Sequence, residues 1–300
     1  MGICRMSENA YLVVEDRPVG RPVDEALTEV FKAYGMERLG GATGAGWSSF
    51  STLQRCPYLY RRRYIDQVRG TASTALEVGS CYHAFRALAA WVEINSADNS
   101  CSSVDWDALR GDLFAAGADP AVVAEAYRLN EAYEFRYETD YLTPLAVEEV
   151  GDYKSFTCRW DLIARVDDAQ AGVAPGTYIV ERKTSSRIDT SILDGWKSDG
   201  EIIGQVAIYQ GGKYRKKWGK LTGIIVDVIT KEKTPRFERL ILPPQSWQVD
   251  QHLRDLKHWR KLKDGFARAG KWPRSRANCV TRYGLCPMFS ECADGEGLDV

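Results

Sequence analysis

The sequence has 300 residues and a mass of 33.7 kDa, enough chain to bury one large core or a core with an added lobe. Its composition is that of an ordinary globular protein, with 44% hydrophobic and 27% charged residues and a formal net charge of −1. No run of about 18 apolar residues occurs, so no membrane span is indicated. The N-terminus lacks a basic stretch followed by an apolar one. We therefore predict an intracellular, cytoplasmic protein.

Helices dominate the first half of the prediction. A strand at 11–14, a short helix at 24–34 and a glycine-rich linker at 40–46 come first. Apolar residues then recur at helical spacing and predict helices at 47–66, 74–94, 106–116 and 120–139. Pro57 is expected to break or restart the first of these four helices.

Strands follow. The β-branched and aromatic runs at 145–150, 156–166 and 178–183 predict a meander with turns at 151–152 and 171–176. A helix at 198–218, strands at 222–229 and 236–242, a basic helix at 246–269 and an irregular tail at 271–292 complete the prediction.

The third predicted strand ends on charge, with Glu181 and Lys183 two positions apart. Because strand side chains alternate, both point to one face, whereas Val180 and Arg182 point to the other. A pair of this kind is most often a solvated ion pair at a strand end. It also has the chemistry of a phosphate-cleaving site, since a carboxylate holds a hard cation and an ammonium stabilises developing charge.

Asp161 lies within an otherwise apolar and aromatic predicted strand. A buried carboxylate is costly without a partner, so it requires either a bound cation or an ion pair with Arg159, Arg165 or Lys183. These two explanations remain open. A lone helical histidine such as His83 is usually a polar surface or core-edge residue, so its role as a ligand needs other evidence.

Basic residues alternate with aromatic ones at 61–64, 213–220 and 254–276, and the last stretch has nine Lys or Arg against two Asp. Such clusters suit phosphate and base contacts, although a solvated helix face is the commoner explanation for any one of them. Among eight cysteines, three crowd the C-terminus as Cys279-x6-Cys286-x5-Cys292. In a reducing cell this spacing indicates metal or cluster ligands.

Four short motifs occur in the order helix, strand, strand, helix: Gly79-Ser80-Cys81-Tyr82-His83, Trp160-Asp161-Leu162-Ile163, Val180-Glu181-Arg182-Lys183-Thr184 and Gln205-Val206-Ala207-Ile208-Tyr209. Over residues 47–292 the chain resembles the PD-(D/E)XK nuclease superfamily. Within it, the chain is most similar to the RecB-like branch of iron–sulfur nucleases typified by AddB and the CRISPR-associated and phage exonucleases.

This resemblance implies an α/β, restriction-endonuclease-like mixed sheet flanked by helices. A helical insertion would lie at 95–140 and a cysteine-stapled tail at 271–292, with residues 1–46 and 293–300 outside the nuclease domain.

The resemblance also implies roles for single residues. Asp161, Glu181 and the carbonyl of Arg182 would hold Mg²⁺ or Mn²⁺, with His83 as a nitrogen ligand. Lys183 would position the attacking water or stabilise the transition state. Two further residues would line the site and contact the DNA strand, namely Gln205 and Tyr209. A further acidic contact, ranked low, is Glu148 or Glu149.

By the same resemblance, four cysteines would hold a structural [4Fe–4S] cluster, with Zn²⁺ as the alternative occupant: Cys56, Cys279, Cys286 and Cys292. The implied function is metal-dependent cleavage of DNA, acting from ends and preferring single strands. Partners would be DNA and recombination or replication proteins, in a bacterial or phage-infected cytoplasm. Two alternatives stay open: a catalytically silent DNA-end-binding component of a recombination or spacer-acquisition complex, and a zinc-bound nucleic-acid-binding protein.

Overall fold

A computed structural model describes residues 46–68, 74–96, 104–169, 172–281 and 284–293. The predicted strand at 11–14 and the predicted helix at 24–34 lie outside these ranges. The described α-helices and strands are α1 (Trp47–Arg55), α2 (Pro57–Tyr60), α3 (Thr74–Ser96), α4 (Trp106–Ala115), α5 (Pro120–Arg136), β1 (Thr143–Tyr153), β2 (Phe156–Val166), β3 (Gly176–Ser185), α6 (Thr190–Lys197), α7 (Gly200–Gly211), α8 (Tyr214–Trp218), β4 (Leu221–Thr230), β5 (Phe237–Leu242), α9 (Ser246–Ala269), β6 (Val280–Thr281), β7 (Gly284–Leu285) and α10 (Phe289–Ala293). A π-helical turn at Arg61–Ile65 continues α2, and a 3-10 turn lies at Arg276–Asn278.

Five strands form one mixed sheet in the order β1-β2-β3-β4-β5. The first three make the predicted antiparallel meander. β3 and β4 run parallel, because α6, α7 and α8 carry the chain back across the sheet between them. β5 returns antiparallel to β4. The α/β prediction with a mixed sheet is confirmed.

The turn between β1 and β2 lies three residues later than predicted. Gly151 is a residue of strand β1. A Cβ at this position would stand 2.4 Å from the ring of Trp160. Its lack of a side chain serves close packing and not a turn. The chain reverses at Lys154 and Ser155, whose φ angles of 49° and 62° are left-handed.

Helices cover both faces of the sheet. On one face, α7 packs with α1 and α9 over Trp160, Ile179 and Val226. On the other face, Ala90 of α3 meets Leu162 and Val180, and α4 and α5 pack behind α3 in a second apolar cluster. The functional strands β2 and β3 are therefore held between two helical layers. No helix in the described ranges is long and apolar enough to cross a bilayer.

Two helix predictions need correction. The predicted helix at 198–218 is divided into α7 and α8, because the backbone at Gly212 is extended and ends α7. The separate helix α6 was not predicted, although Asp189 caps it by accepting a hydrogen bond from the N–H of Ile192 at 2.9 Å. The break at Pro57 is confirmed, since α1 ends at Arg55 and α2 begins at the proline.

Acid is expected to destabilise the packing of α7 through His252, which is 7% exposed between Trp47, Phe156 and Gly204. Burial lowers the pKa of His252 to about 4, against an unfolded value of about 6.5. The unfolded chain therefore binds more protons between these two values, so the stabilisation is complete above pH 6.5 and declines as pH falls. The expected loss by pH 4 is about 3 kcal/mol.

This dependence is measured by urea unfolding across pH 4 to 7, roughly the window between those two values. His252→Leu is expected to remove the corresponding slope. The exposed His258 on the same helix provides the control, and His258→Gln is expected to keep the slope. Equal slopes in the wild type and His252→Leu would contradict the assignment.

Candidate active site

The acid-x-Lys pair lies on β3, on the face covered by α7. Lys183 Nζ is 2.5 Å from Glu181 Oε1, which confirms that the two side chains share a face. Glu181 is 4% exposed and the Lys183 side chain is 24% exposed, so the pair is not a solvated strand end. The alternation of the strand sends Arg182 to the opposite face, where it is also buried.

Asp161 is brought to this pair by β2. Its Oδ2 accepts a hydrogen bond from the backbone N–H of Arg182 at 2.8 Å and lies 3.2 Å from Nδ1 of His83. In the described structure Asp161 does not form the ion pair with Arg159, Arg165 or Lys183 that the sequence left open. Arg159 instead contacts Glu148. Asp161 and His83 thus meet as the resemblance implied.

His83 reaches the sheet because α3 lies close against β3. A Cβ on Gly79 would stand 3.2 Å from Oγ1 of Thr184, so the glycine allows the helix to approach. Gly79 and His83 are four positions apart, which places both on the same side of the helix. The spacing of this motif therefore has a packing reason.

α7 supplies the polar roof of the pair. Nε2 of Gln205 donates to Oε2 of Glu181 at 2.6 Å, and Nζ of Lys183 donates to Oε2 of Glu201 at 2.7 Å. Glu201 was not among the predicted site residues. Its spacing could have identified it, because Glu201 and Gln205 are four positions apart and share a helical face.

Tyr209 does not line this site. Its side chain is fully buried among Trp160, Tyr214 and Trp218, and its hydroxyl donates to the carbonyl of Gly219 at 3.1 Å. Its predicted contact with DNA is wrong, because Tyr209 lies one turn beyond Gln205 on the same face of α7, where its ring is buried in the aromatic core.

Charge is distributed unevenly over these groups. Burial raises the pKa of Glu181 to about 8, and the nearby Asp161 adds to the rise. For Asp161 burial acts in the same direction, but His83 and the N–H of Arg182 outweigh it and hold the pKa well below its usual range. Burial acts to lower the pKa of His83, and the Asp161 carboxylate more than compensates. The site thus combines the ionised carboxylate of Asp161 with the carboxyl group of Glu181, whose burial the Lys183 ammonium does not fully offset.

Lys183 remains a cation in this setting. Burial acts to lower its pKa, but Glu181 and Glu201 together raise the pKa well above its usual value. The ammonium is therefore held between two carboxylates, with all of its known partners on β3 and α7.

The structure distinguishes the two low-ranked acids. Glu148 is 4% exposed, has a left-handed φ of 50°, and lies 2.8 Å from Nε of Arg159. Burial raises the pKa of Glu148 to about 7, with Asp161 adding to the rise. Glu149 instead approaches Lys217 at 3.6 Å. Glu148 is therefore the acid next to the site, placed there by an unusual backbone conformation.

The donor set suits a hard cation, because it is made of carboxylate oxygens with one imidazole. Oε1 of Gln205 is buried without a hydrogen-bond partner in the described structure, and burial raises the pKa of Glu181 and of Glu148 even though Lys183 and Arg159 lie beside them. A bound cation would stabilise both carboxylates. As they stand, no three His, Cys, Asp or Glu side chains in the described ranges form a group that could hold a metal ion. Ligation would require the side chains to turn toward the ion.

The four cysteines that the resemblance implied as cluster ligands lie near one another. Burial raises the pKa of the Cys292 thiol, and three other cysteines lie near enough to contribute, namely Cys56, Cys279 and Cys286. The N–H of Ser275 lies 3.4 Å from Sγ of Cys56, and Sγ of Cys279 lies 3.8 Å from the carbonyl of Ser275. All four are free and partly exposed. No three of them form a ready metal site in the described chain.

Hydrogen bonds also join the helices α1 and α2 to the C-terminal tail. Tyr58 donates its N–H to the carbonyl of Pro273 at 3.1 Å, and its hydroxyl bonds Glu291. Asn278 bonds the carbonyl of Arg55 at 2.9 Å. The tail predicted as irregular at 271–292 contains the paired strands β6 and β7 and the helix α10. Through these hydrogen bonds it packs against α1 and α2.

A family model of the PD-(D/E)XK nuclease superfamily matches residues 47–293. The chain belongs to this superfamily. The crystal structure of a candidate exonuclease from Eubacterium rectale is similar in fold to this superfamily member, with a TM-score of 0.50 and 16% sequence identity. The similarity covers 81% of this chain and 91% of that chain, and it confirms the restriction-endonuclease-like fold. A search of curated proteins finds no match.

Proposed function

We propose that this member of the PD-(D/E)XK superfamily is a metal-dependent deoxyribonuclease that acts as an exonuclease. The observation that carries the proposal is the meeting of Asp161, Glu181 and Lys183 from two strands at one point with little access to solvent. Ionisable groups gathered where solvent access is restricted are costly for folding, and they are typical of a catalytic site.

The metal would be held by Asp161, Glu181 and the carbonyl of Arg182, with His83 as a nitrogen ligand that favours Mn²⁺ or Mg²⁺ over Ca²⁺. When bound, the ion would polarise the scissile phosphate and lower the pKa of a coordinated water. Gln205 fixes the Glu181 carboxylate through its hydrogen bond of 2.6 Å.

Lys183 is the group that acts on the reacting phosphate. Its ammonium can donate a hydrogen bond that orients the attacking water, or one that stabilises an equatorial phosphate oxygen. Glu201 supports it from α7 at 2.7 Å, so the ammonium keeps one anchor when it moves away from Glu181. A preorganised donor of this kind stabilises charge that develops only in the transition state.

DNA ends and single strands are the proposed substrate. The exposed face of α9 carries Arg254, Lys257 and Lys261 at helical spacing, and this charge suits a phosphate backbone. Digesting 5′- and 3′-labelled single- and double-stranded DNA with Mn²⁺ tests the proposal. Release of mononucleotides from one labelled end is the expected result. Binding to ends without any product would instead support a silent DNA-end-binding component.

We further propose that the chain belongs to the RecB-like iron–sulfur branch, with one nuclease domain at 47–292, a helical insertion at 95–140 and the cysteine tail at 271–292. Four cysteines would bind a [4Fe–4S] cluster, or Zn²⁺ as the alternative: Cys56, Cys279, Cys286 and Cys292. The mutual proximity of their thiols supports this assignment. Recombination or replication proteins are the proposed partners.

Anaerobically purified protein is expected to be brown and to contain about four irons per chain. Cys286→Ser is expected to remove the absorbance and to lower the melting temperature, because the cluster would join the two ends of the domain. Cys158→Ser, at a cysteine outside the group, provides the control. A colourless protein with one zinc would favour the alternative occupant, and a metal-free protein would contradict both.

A further inference from the structure

A second cavity lies apart from the acidic site, between α1, the β1–β2 turn and α9. Its volume is about 240 Å³, and its lining includes Phe50, Leu53, Tyr60, Ser155, Arg260 and Lys263. A pocket for a drug-sized molecule has a volume of about 300–1,000 Å³. This cavity is therefore sized for a single ring system.

Aromatic side chains form the wall of the cavity. The rings of Phe50 and Tyr60 are nearly buried, at 5% and 8% exposure. Tyr60 continues into a stack with Tyr64 at 5.2 Å and with Trp272 at 5.8 Å between ring centroids. Exposed or pocket-lining aromatic stacks next to cations are the usual platform for nucleobases.

Two cations border this aromatic surface. Arg260 lies 6.0 Å from the centroid of the Phe50 ring, and its guanidinium donates to the carbonyls of Lys154 and Ser155 at 3.4 Å and 3.2 Å. These bonds to neutral carbonyls fix the guanidinium, and Arg260 has no ion pair within the part of the chain that the structure describes. Lys263 lies one helical turn further along α9 and has no ion-pair partner in the described ranges.

β2 connects the cavity to the acidic site. The strand begins at Phe156, whose ring lies 5.9 Å from that of Phe50, and it reaches Asp161 five residues later. At the rise of a strand this separation is roughly 17 Å. A DNA strand held at the acidic site would therefore be able to reach the cavity with a nucleotide several positions from the cleaved bond.

We propose that this cavity binds one unstacked nucleobase of the substrate strand, with an adjoining phosphate on Arg260 and Lys263. The proposal rests on the proposed function to the extent that the ligand is a DNA strand. It adds a site that grips the strand away from the cleaved bond. Such a site would favour single strands, because only an unpaired base can leave the stack.

Binding is measured with the full-length protein in a chelator, so that no cleavage occurs. The probes are fluorescent single-stranded oligonucleotides, each with one abasic spacer at a successive position from the end. The wild type is expected to lose affinity by about 5- to 150-fold at one position and little elsewhere. Phe50→Leu is expected to flatten this profile, since it keeps an apolar side chain and removes the ring.

A charge reversal tests the phosphate contact without touching the core. Lys263→Glu is expected to weaken binding of the intact oligonucleotide at least about tenfold more than Lys197→Glu, an equal change at an exposed lysine of α6. A flat abasic profile in the wild type, or equal effects of the two reversals, would overturn the proposal. Metal-dependent cleavage with a flat profile overturns this site alone, whereas a position-sensitive profile without cleavage overturns the nuclease and supports this site.

Discussion

Lys183→Ala is expected to lower the rate constant of DNA cleavage about 10²- to 10³-fold, with little change in DNA affinity. The ammonium is the sole lysine amine found against Glu181 in the described structure, and Glu201 holds it at 2.7 Å. In the described site no other cation contacts Glu181 in the place of Lys183, so none could replace its ammonium. Single-turnover cleavage of an end-labelled oligonucleotide with saturating Mn²⁺ measures the rate, and anisotropy in chelator measures the affinity.

The matched control for this change is Lys197→Ala, at an exposed lysine of α6 that pairs with Asp194 at 2.6 Å. It is expected to cleave like the wild type. Lys183→Arg keeps the charge in a larger planar group and is expected to recover only part of the rate. Wild-type cleavage by Lys183→Ala would remove Lys183 from the mechanism.

Arg239→Met is expected to destabilise the fold by about 3–5 kcal/mol, the largest effect on stability that the structure indicates. The Arg239 guanidinium contacts Asp227 at 3.1 Å, Asp140 at 2.7 Å and the hydroxyl of Tyr133 at 2.8 Å. The Asp227 side chain is only 1% exposed, so the substitution leaves an uncompensated buried carboxylate. Urea unfolding followed by circular dichroism measures the loss.

Two further variants define the cause of this loss. Asp227→Asn in the Arg239→Met background removes the unpaired charge and is expected to restore part of the stability. Arg236→Met, which breaks an exposed pair with Glu232, is expected to change stability little. If Arg236→Met and Arg239→Met were equally destabilising, burial of the Asp227 charge would not be the cause.

The residues that meet at the site were predictable because local rules determine them. Strand alternation puts Glu181 and Lys183 on one face whatever the rest of the fold. The meander that brings Asp161 to β3 follows from three β-branched runs joined by short connections. Gly79 and His83 share a helical side by their spacing alone. Each of these inferences uses only residues near one another in the sequence.

The misplaced residues depend on tertiary contacts. Glu148 reaches the site through a left-handed φ of 50°, which no sequence pattern at a glutamate indicates. Gly151 has the composition of a turn, yet it is a strand residue because Trp160 packs over it. Tyr209 has the spacing of a site residue, but the aromatic cluster with Trp160 and Trp218 holds its side chain in the core.

Asp161 and Glu181 are expected to share one divalent ion, and calorimetric titration of Mn²⁺ into the purified protein measures this directly. The wild type is expected to bind Mn²⁺, and Asp161→Asn and Glu181→Gln are each expected to weaken this binding at least about tenfold. Glu149→Gln, at an acid directed toward Lys217, is expected to bind like the wild type. Unchanged Mn²⁺ affinity in both Asp161→Asn and Glu181→Gln would contradict the account.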